Sequence, residues 1–286
     1  LVGDYTLTYS ATGLTSASET VTLRFGAATQ LAVTTQPVGG NAAGDALATQ
    51  PIVKVQDADG NVVTNSTATV TVAVDADATG NVTEGTTSVA SIAGVATFSG
   101  VKLVGTPGKA YKLAFSSTGL TGVSSANVSV THAAASQLVV SSIGSARAGI
   151  AFGSQPTVTL KDRYGYTVTS GAASTANVTA NSTTGTLNGT KVKQLVAGVA
   201  TFSGLSINGT SGSYTVSFTS DVPMLSTSTG VTLTYGVADH LSISRQPVGG
   251  NKVGDALTTQ PWVEVQDSDG NVVADNTDAI SIAISD

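Results

Sequence analysis

Residues 36–63 read QPVGGNAAGDALATQPIVKVQDADGNVV, and residues 246–273 repeat them as QPVGGNKVGDALTTQPWVEVQDSDGNVV. A weaker copy, SQPTVTLKDRYGYTV, lies between them at residues 154–168. Asp57, Asp162 and Asp267 occupy the same place in the three copies, at equal intervals of 105 residues. A unit of about this length, repeated in tandem, predicts an array of similar domains.

Short runs of alternating apolar and polar residues fill each unit. Examples are YTLTY at 5–9, IVKVQ at 52–56 and TVTVAV at 69–74. This period of two is typical of half-buried strands, and glycine, Asp-Gly and Gly-Asn sequences between the runs favour turns. No stretch shows sustained helical periodicity. We therefore predict an all-β fold of tandem immunoglobulin-like β-sandwiches arranged end to end, with about seven short strands in each unit.

The copies place the domain boundaries. Residues 27–132 and 133–236 each form a complete repeat, residues 1–26 match the C-terminal strands of a repeat, and residues 237–286 match its N-terminal strands. The linkers between them are very short. Short linkers limit bending, so we expect a semi-rigid rod.

The repeats are also expected to alternate between two kinds. VTLRFG at 21–26 matches VTLTYG at 231–236, at the same 210-residue spacing as the two long copies. One segment fits this alternation less well, because residues 10–15 resemble residues 117–121 more closely than their counterpart in the second repeat.

The alternation also predicts which side chains face the core. On the predicted strands, Val53 and Val55 point inward, whereas Ile52 and Lys54 lie on the opposite face. The expected core of the first complete repeat is Val53, Val55, Phe98, Leu113 and Phe115, and that of the second is Val158, Leu160, Phe202, Val216 and Phe218.

Composition excludes several classes of function. The 286 residues carry a net charge of −6, and only 10% are charged. This acidic balance argues against nucleic acid as a partner, since lysine and arginine at phosphates dominate that binding. No apolar run approaches the roughly twenty residues of a membrane span in this segment. The chain has no cysteine, so disulfides and thiolate metal sites are absent.

Three motifs resemble a known family. The first is Val-x-Asp-x-x-Gly-Asn-x-Val at 55–63, the second is Gly-Val-Ala-Thr-Phe at 94–98, and the third is Tyr-x-Leu-x-Phe at 111–115. Together they resemble the tandem bacterial immunoglobulin-like repeats of the invasin and intimin type, along essentially the whole chain. The middle repeat departs from the pattern at Tyr164 and Tyr166. The resemblance implies surface adhesins and extracellular fibres, and it is an analogy at the level of the fold.

The two DxDGN turns are the candidates for ion binding. Asp57, Asp59 and Asn61 alternate as oxygen ligands do in calcium loops, and the second turn repeats the set as Asp267, Asp269 and Asn271. The bidentate glutamate of an EF-hand is missing. The favoured interpretation is therefore a capped turn, in which Asp57 bonds its own backbone while Gly60 and Asn61 adopt positive φ. We expect no cofactor, with calcium as the alternative.

The histidines and the repeated tyrosines favour structural roles. His132 and His240 lie near repeat boundaries without the partners that catalysis or metal binding needs, so a surface or linker role is expected. Tyr5, Tyr111 and Tyr214 begin equivalent strands, and each hydroxyl is expected to bond nearby backbone, as in a tyrosine corner. No set of nucleophile and base is readable, and we expect no enzyme.

The partial repeats at the two ends supply the candidate interface residues. Trp262 lies on an outward-facing position, so it should be covered by a loop or a neighbour, either as an interface anchor or within its own domain. The other candidates belong to apolar strand faces that a partial repeat cannot bury alone: Tyr5, Tyr9, Phe25, Ile280, Ile282 and Ile284. Two explanations remain open, a window cut from a longer repetitive chain or completion of one subunit by the strands of the next.

Seven Asn-x-Ser/Thr sequons offer weak glycosylation signals, at Asn65, Asn81, Asn127, Asn177, Asn181, Asn188 and Asn208. The sequence as a whole predicts a structural segment of an extracellular fibre, stalk or filament at the cell surface. Its partners would be copies of itself or adjoining repeats. The alternative is a binding module that recognises a surface receptor, a glycan or a neighbouring fibre.

Overall fold

The computed structural model describes residues 2–39, 42–75, 82–250 and 252–284. It confirms the predicted fold class: the chain forms tandem β-sandwiches, and its short 3₁₀ helix at Ala172–Thr175 is the single helical element of the described residues. Two compact units divide the chain, residues 1–134 and residues 135–286. With the repeat boundaries predicted from the sequence, each unit would contain one complete repeat and one partial repeat.

The first unit begins with a hairpin and continues into the first complete repeat. Its strands are β1 (Gly3–Tyr9), β2 (Ala17–Leu23), β3 (Gln30–Thr35), β4 (Ile52–Gln56), β5 (Thr69–Val74), β6 (Val82–Glu84), β7 (Ser88–Ala90), β8 (Val95–Thr97), β9 (Lys102–Val104), β10 (Ala110–Tyr111), β11 (Leu113–Ser116), β12 (Val123–Ser124) and β13 (Val128–Ser129).

Two main sheets form the first sandwich. One has the strand order β3-β4-β8 and the other has the order β12-β11-β5-β7. In the first sheet Val53 lies opposite both Val33 and Ala96, and in the second Phe115 lies opposite Val72. Because side chains alternate across a strand, these paired residues give each sheet one apolar face. The apolar faces of the two sheets pack against each other.

The second unit contains β14 (Ala135–Val140), β15 (Ala146–Arg147), β16 (Thr157–Asp162), β17 (Asn177–Ser182), β18 (Thr186–Asn188), β19 (Val192–Gln194), β20 (Val199–Thr201), β21 (Ser206–Asn208), β22 (Gly212–Ser220), β23 (Ser226–Thr234), β24 (Ala238–Arg245) and β25 (Trp262–Asp267). Its complete repeat packs the sheet β14-β16-β20 against the sheet β15-β23-β22-β17-β19. This arrangement repeats the architecture of the first sandwich with one more strand.

Two phenylalanines pack against each other in the core of each sandwich. One comes from the Gly-Val-Ala-Thr-Phe motif and the other from the segment that begins with the repeated tyrosine. Phe98 and Phe115 are 1% exposed with ring centroids 5.6 Å apart, and Phe202 and Phe218 meet in the same way at 5.2 Å. Tilted pairs at this distance contribute about 0.5–1.5 kcal/mol beyond the area they bury. All ten predicted core residues are buried, so the predicted register is confirmed for both complete repeats.

The strands are shorter and more numerous than expected. The described part of residues 27–132 holds eleven strand segments, where the sequence predicted about seven. Short additional pairs such as β6 with β9 account for much of the excess, and a break at Lys112 separates β10 from β11. The predicted strand at 21–25 also ends earlier, at Leu23.

The β1–β2 hairpin exposes one apolar face. Tyr5 lies opposite Val21 and Leu7 opposite Glu19, so Tyr5, Leu7 and Tyr9 share that face. All three are exposed, and Tyr9 is the most exposed at 58%. The neighbouring Phe25 is half-buried.

The last residues form no strand in the described chain, although the sequence predicted one through Ile280, Ile282 and Ile284. All three isoleucines are exposed. The equivalent strand of the first repeat, β5, pairs with β11, and the third repeat offers no such neighbour among the described residues. Extended backbone forms a strand only when its N–H and C=O groups find a partner, which explains the difference.

Candidate functional site: the aspartate turns at the repeat junctions

The first DxDGN turn folds around one carboxylate. Oδ1 of Asp57 accepts hydrogen bonds from the backbone N–H of Asp59 at 3.1 Å and of Asn61 at 2.8 Å. The Asn61 amide donates to both carboxylate oxygens, and Gly60 supplies the left-handed conformation with φ 84°. The predicted capped turn is therefore present. Asn61 does not share the positive φ expected of it, because one left-handed residue already reverses the chain.

The same carboxylate also binds the preceding segment of chain. Its Oδ2 accepts the backbone N–H of Gly26 at 2.8 Å, across 31 residues of sequence. Gly26 ends the N-terminal partial repeat, and Asp57 lies at the end of β4 in the first complete repeat. One buried side chain therefore ties two consecutive repeats together at their junction.

The second turn reproduces the arrangement with a shorter contact. Oδ2 of Asp267 accepts the N–H of Gly236 at 2.6 Å, and its Oδ1 accepts the N–H groups of Asp269 and Asn271. A Cβ on Gly236 would lie 2.6 Å from the carbonyl oxygen of Ala148, so only glycine permits this approach. The sequence analysis did not predict this contact, although the 210-residue spacing of Gly26 and Gly236 was a signal that could have indicated it.

Arg147 of the second repeat also binds the chain at this junction. The Arg147 guanidinium donates to the carbonyl oxygens of Tyr235 at 3.1 Å and Gly236 at 2.9 Å, and it lies 5.5 Å from the centre of the Tyr235 ring. The N–H and the C=O of Gly236 are thus both bonded, one by each flanking repeat. The sequence analysis did not single out Arg147, because it lies outside the repeated copy at residues 154–168.

A loop of the second repeat also contacts the second turn. The Asn208 amide donates to Oδ2 of Asp269 at 3.1 Å, and the side chain of Asn271 bonds both the N–H of Ser211 and the carbonyl oxygen of Gly209. Asp269 and Asn271 therefore act as contact groups between repeats, in addition to their part in the turn.

The middle copy keeps the turn without the two polar side chains. Oδ1 of Asp162 accepts the N–H groups of Tyr164 and Tyr166, both at 2.9 Å. Backbone amides supply these bonds, so the turn tolerates any side chain at the two positions. Loss of the aspartate–asparagine pair from this copy consequently leaves the turn intact.

Hydrogen bonding lowers the pKa of both junction aspartates. The amide of Asn61, followed by the N–H of Gly26, lowers the pKa of Asp57 from 3.8 to about 2. Burial raises the pKa of Asp267, but the N–H groups that point at its carboxylate outweigh this effect and the net pKa is lowered. Both groups are therefore held in the charged form that the junction requires.

Calcium binding at these turns was the alternative to the expected capped turn, and it stays untested. A carboxylate offers about four lone-pair sites, and Asp57 already receives five N–H contacts. Within the described ranges, no group of three or more histidine, cysteine, aspartate or glutamate side chains is placed to hold a metal. A cation at Asp57 would have to displace the hydrogen bonds that form the turn.

The other predicted residues are dispersed over the two units. Nδ1 of His132 lies 3.0 Å from the carbonyl oxygen of Ala133, and Nδ1 of His240 lies 3.1 Å from Asp239. The hydroxyls of Tyr111 and Tyr214 bond Thr106 and Thr210 as a tyrosine corner would. The sequon at Asn81 lies outside the described residues.

Trp262 is not covered by its own domain among the described residues, and its role as an interface anchor stays a prediction. It is 61% exposed, and its ring lies 5.6 Å from the Arg245 guanidinium on the paired strand β24. The sequence predicted a covering loop or neighbour. The equivalent Ile52 lies opposite Thr97 of β8, and no strand of the described chain occupies that side of β25.

A cavity of about 400 Å³ lies in the second unit, beside the start of β24. His240, Asp239, Leu241 and Ile280 are among the residues that line it. It lies between β24, β25 and the segment of residues 276–281. No helix of the described chain is long and apolar enough to cross a membrane.

Comparison with known proteins identifies no family. No family model matches the chain, and no curated protein does. Among solved structures, domains 4–9 of the surface layer protein SbsC align over 86% of this chain and 37% of their own, with 16% identity and a TM-score of 0.27. InvD from Yersinia pseudotuberculosis aligns over 83% and 71%, with 17% identity and a TM-score of 0.33.

An enzyme is among the similar structures as well. The β-glucuronidase of Parabacteroides merdae aligns over 71% of this chain, with 16% identity and a TM-score of 0.28, and the chain covers 24% of it. The chain thus spans only a minor part of the surface layer protein and of this enzyme. With identities and TM-scores this low, none of the likenesses assigns an activity, a partner or a family to the chain.

Proposed function

We propose that this chain is a structural segment of an extracellular fibre, stalk or filament at the cell surface. Its repeats would belong to the bacterial immunoglobulin-like repeats of the invasin and intimin type. Its partners would be adjoining repeats of the same kind. The observation that carries the proposal is the bond from the junction glycine to the buried aspartate, which recurs as Gly26 to Asp57 and as Gly236 to Asp267.

A supporting role needs joints that resist bending, since two sandwiches on a free linker would swing independently. The aspartate carboxylate stiffens the joint at small cost, because it is already held by its own turn when it accepts the glycine N–H. Each complete repeat also buries its own core, so length can grow with the number of repeats while every repeat remains stable.

Small-angle X-ray scattering on the purified chain tests the mechanical part. The wild type should scatter as a chain in which the two glycine–aspartate junctions bend little. Double substitution Asp57→Asn and Asp267→Asn should increase flexibility while the circular dichroism of the sandwiches is retained. A wild type that already scatters as freely jointed domains would contradict the proposal. Labelling of intact source cells with an antibody to the chain tests its location separately.

A binding module is the second candidate, and Trp262 is the observation that favours it. A tryptophan with 61% of its surface exposed and an arginine over its ring is the kind of anchor that protein and glycan interfaces use. Binding of the chain to arrays of glycans and surface proteins, lost on Trp262→Ala and retained on Ile92→Ala, would support this candidate. Equal binding by both variants would show that Trp262 is not part of the binding surface.

A further inference from the structure

The loop that contacts the second turn is itself held in a defined shape. It comprises residues 208–212, Asn-Gly-Thr-Ser-Gly, and Tyr214 of the same repeat donates its hydroxyl to the carbonyl oxygen of Thr210 at 2.7 Å. A Cβ at Gly209 would lie 2.5 Å from that hydroxyl oxygen, so glycine is required there. The loop therefore meets its partner already ordered, which lowers the entropic cost of docking.

The turn supplies matching polar groups. Oδ2 of Asp269 accepts the amide of Asn208, while Asn271 accepts the N–H of Ser211 at 2.6 Å and donates to the carbonyl oxygen of Gly209 at 3.0 Å. Every one of these contacts joins a residue of the second repeat to a residue of the third. Removing either partner would leave a polar group unmatched at the junction.

The loop and the turn vary together along the chain. The first repeat has Val-Gly-Thr-Pro-Gly at 104–108 in place of this loop, so valine replaces the Asn208 amide and proline removes the N–H that Ser211 donates. The repeat that follows it carries Tyr164 and Tyr166 in its turn, which offer neither the carboxylate nor the amide. The loop that lacks the donors thus precedes the turn that lacks the acceptors.

The turn of the first repeat has the acceptor residues and no such loop over it. Asp59 is exposed where Asp269 is half-buried, and Asn61 is half-buried where Asn271 is buried. Asp57 and Asp267 accept hydrogen bonds from equivalent groups, except that the Asn61 amide donates to both oxygens of Asp57 and the Asn271 amide only to Oδ2 of Asp267. The difference in burial accompanies the loop of residues 208–212, which covers only the second turn.

We infer that Asp59 and Asn61 form a docking surface specific for a repeat of the second kind, placed ahead of the first repeat. Its occupant is a copy of residues 133–236, recognised through its Asn-Gly-Thr-Ser-Gly loop. The loop and the turn then match where a repeat of the first kind follows one of the second kind, which agrees with the alternation of two kinds of repeat along the chain. This inference concerns recognition between repeats and would hold whether or not the chain acts as an extracellular stalk.

The natural chain tests the pairing at the junction that it already contains. Because the chain has no cysteine, spin labels can be attached at Lys193→Cys and Asp275→Cys, two exposed sites in the second and third repeats. We expect a single narrow distance by double electron–electron resonance. The tyrosine pair of the middle turn, introduced as Asp269→Tyr with Asn271→Tyr, should broaden it.

The middle repeat shows that the turn tolerates tyrosine at these positions, and a retained circular dichroism spectrum will verify folding. The matched control is Asp59→Tyr with Asn61→Tyr, which changes an uncovered turn and should leave the distance unchanged. A second variant, Asn208→Val with Ser211→Pro, installs the first repeat's loop residues and should broaden the distance in the same way. An unchanged distance in either junction variant would overturn the inference.

An extended chain tests the uncovered turn directly. A copy of residues 133–236 replaces residues 1–26, and labels are attached at position 193 of that copy and at Asn65, which is equivalent to Asp275. The distance should reproduce the one measured across the natural junction, and Asn208→Val with Ser211→Pro in the copy should broaden it. A broad distance, or a narrow one that the loop substitutions leave unchanged, would refute the proposed docking surface. The scattering test of the stalk uses the natural chain, so either proposal can fail alone.

Discussion

Replacement of Asp267 by asparagine tests the structural core of the junction. The carboxylate accepts Gly236 N–H and the Asn271 amide on one oxygen, and the backbone N–H groups of Asp269 and Asn271 on the other. An asparagine side chain has one oxygen and an NH₂ group. Whichever way it turns, two donors lose their acceptor and face another donor.

The structure sets the size of this effect. Hydrogen bonds to a charged group contribute about 1.5–3 kcal/mol each, so the loss of two predicts about 3–6 kcal/mol of local stability. The position is 1% exposed, which prevents water from replacing the lost acceptor. Since about 1.4 kcal/mol corresponds to a tenfold change in an equilibrium, opening at this site should become at least about a hundredfold more frequent.

Native-state hydrogen exchange of the Gly236 amide measures this opening directly, because that N–H donates to Asp267. We expect exchange to accelerate by about a hundredfold or more in the variant. Asp57→Asn changes the equivalent turn of the other unit and should leave Gly236 unaffected. If exchange at Gly236 rises by less than about threefold in Asp267→Asn, the carboxylate does not hold the junction as argued.

Three further predictions concern the first unit. The folded-state pKa of Asp57, about 2 against an ordinary 3.8, means that its contribution to stability is complete above about pH 4 and is lost as the pH falls toward about 2; acid titration of the melting temperature should show this loss, and Asp57→Asn should remove the part that comes from the first unit while the part from Asp267 remains. Phe98→Ala should lower the free energy of unfolding by about 3–5 kcal/mol in denaturant titrations, because it empties a buried site, whereas Ile92→Ala at an 82% exposed position should change it by less than about 0.5 kcal/mol. Millimolar calcium should leave the melting temperature unchanged, and a rise of many degrees that disappears in Asp57→Ala would show that the turn binds the ion.

Much of the fold follows from local sequence. Strict alternation around Val53 and Val55 determined their burial, since a strand with one buried face has little freedom of register. The phenylalanine motifs likewise predicted the pairs that meet across each sandwich. The Asp-x-x-Gly-Asn pattern predicted the turn, because its hydrogen bonds join residues two to four apart.

The tertiary structure alone decided what the turn contacts. Gly26 and Asp57 are 31 residues apart, and Asn208 and Asp269 are 61 apart, so these bonds depend on how the whole repeats pack. Sequence reasoning assigned Asp59 and Asn61 to a turn or to calcium and did not consider a neighbouring repeat. A hydrogen bond within a turn is encoded by adjacent residues, whereas a bond between repeats exists only once two separate sandwiches have placed their loops side by side.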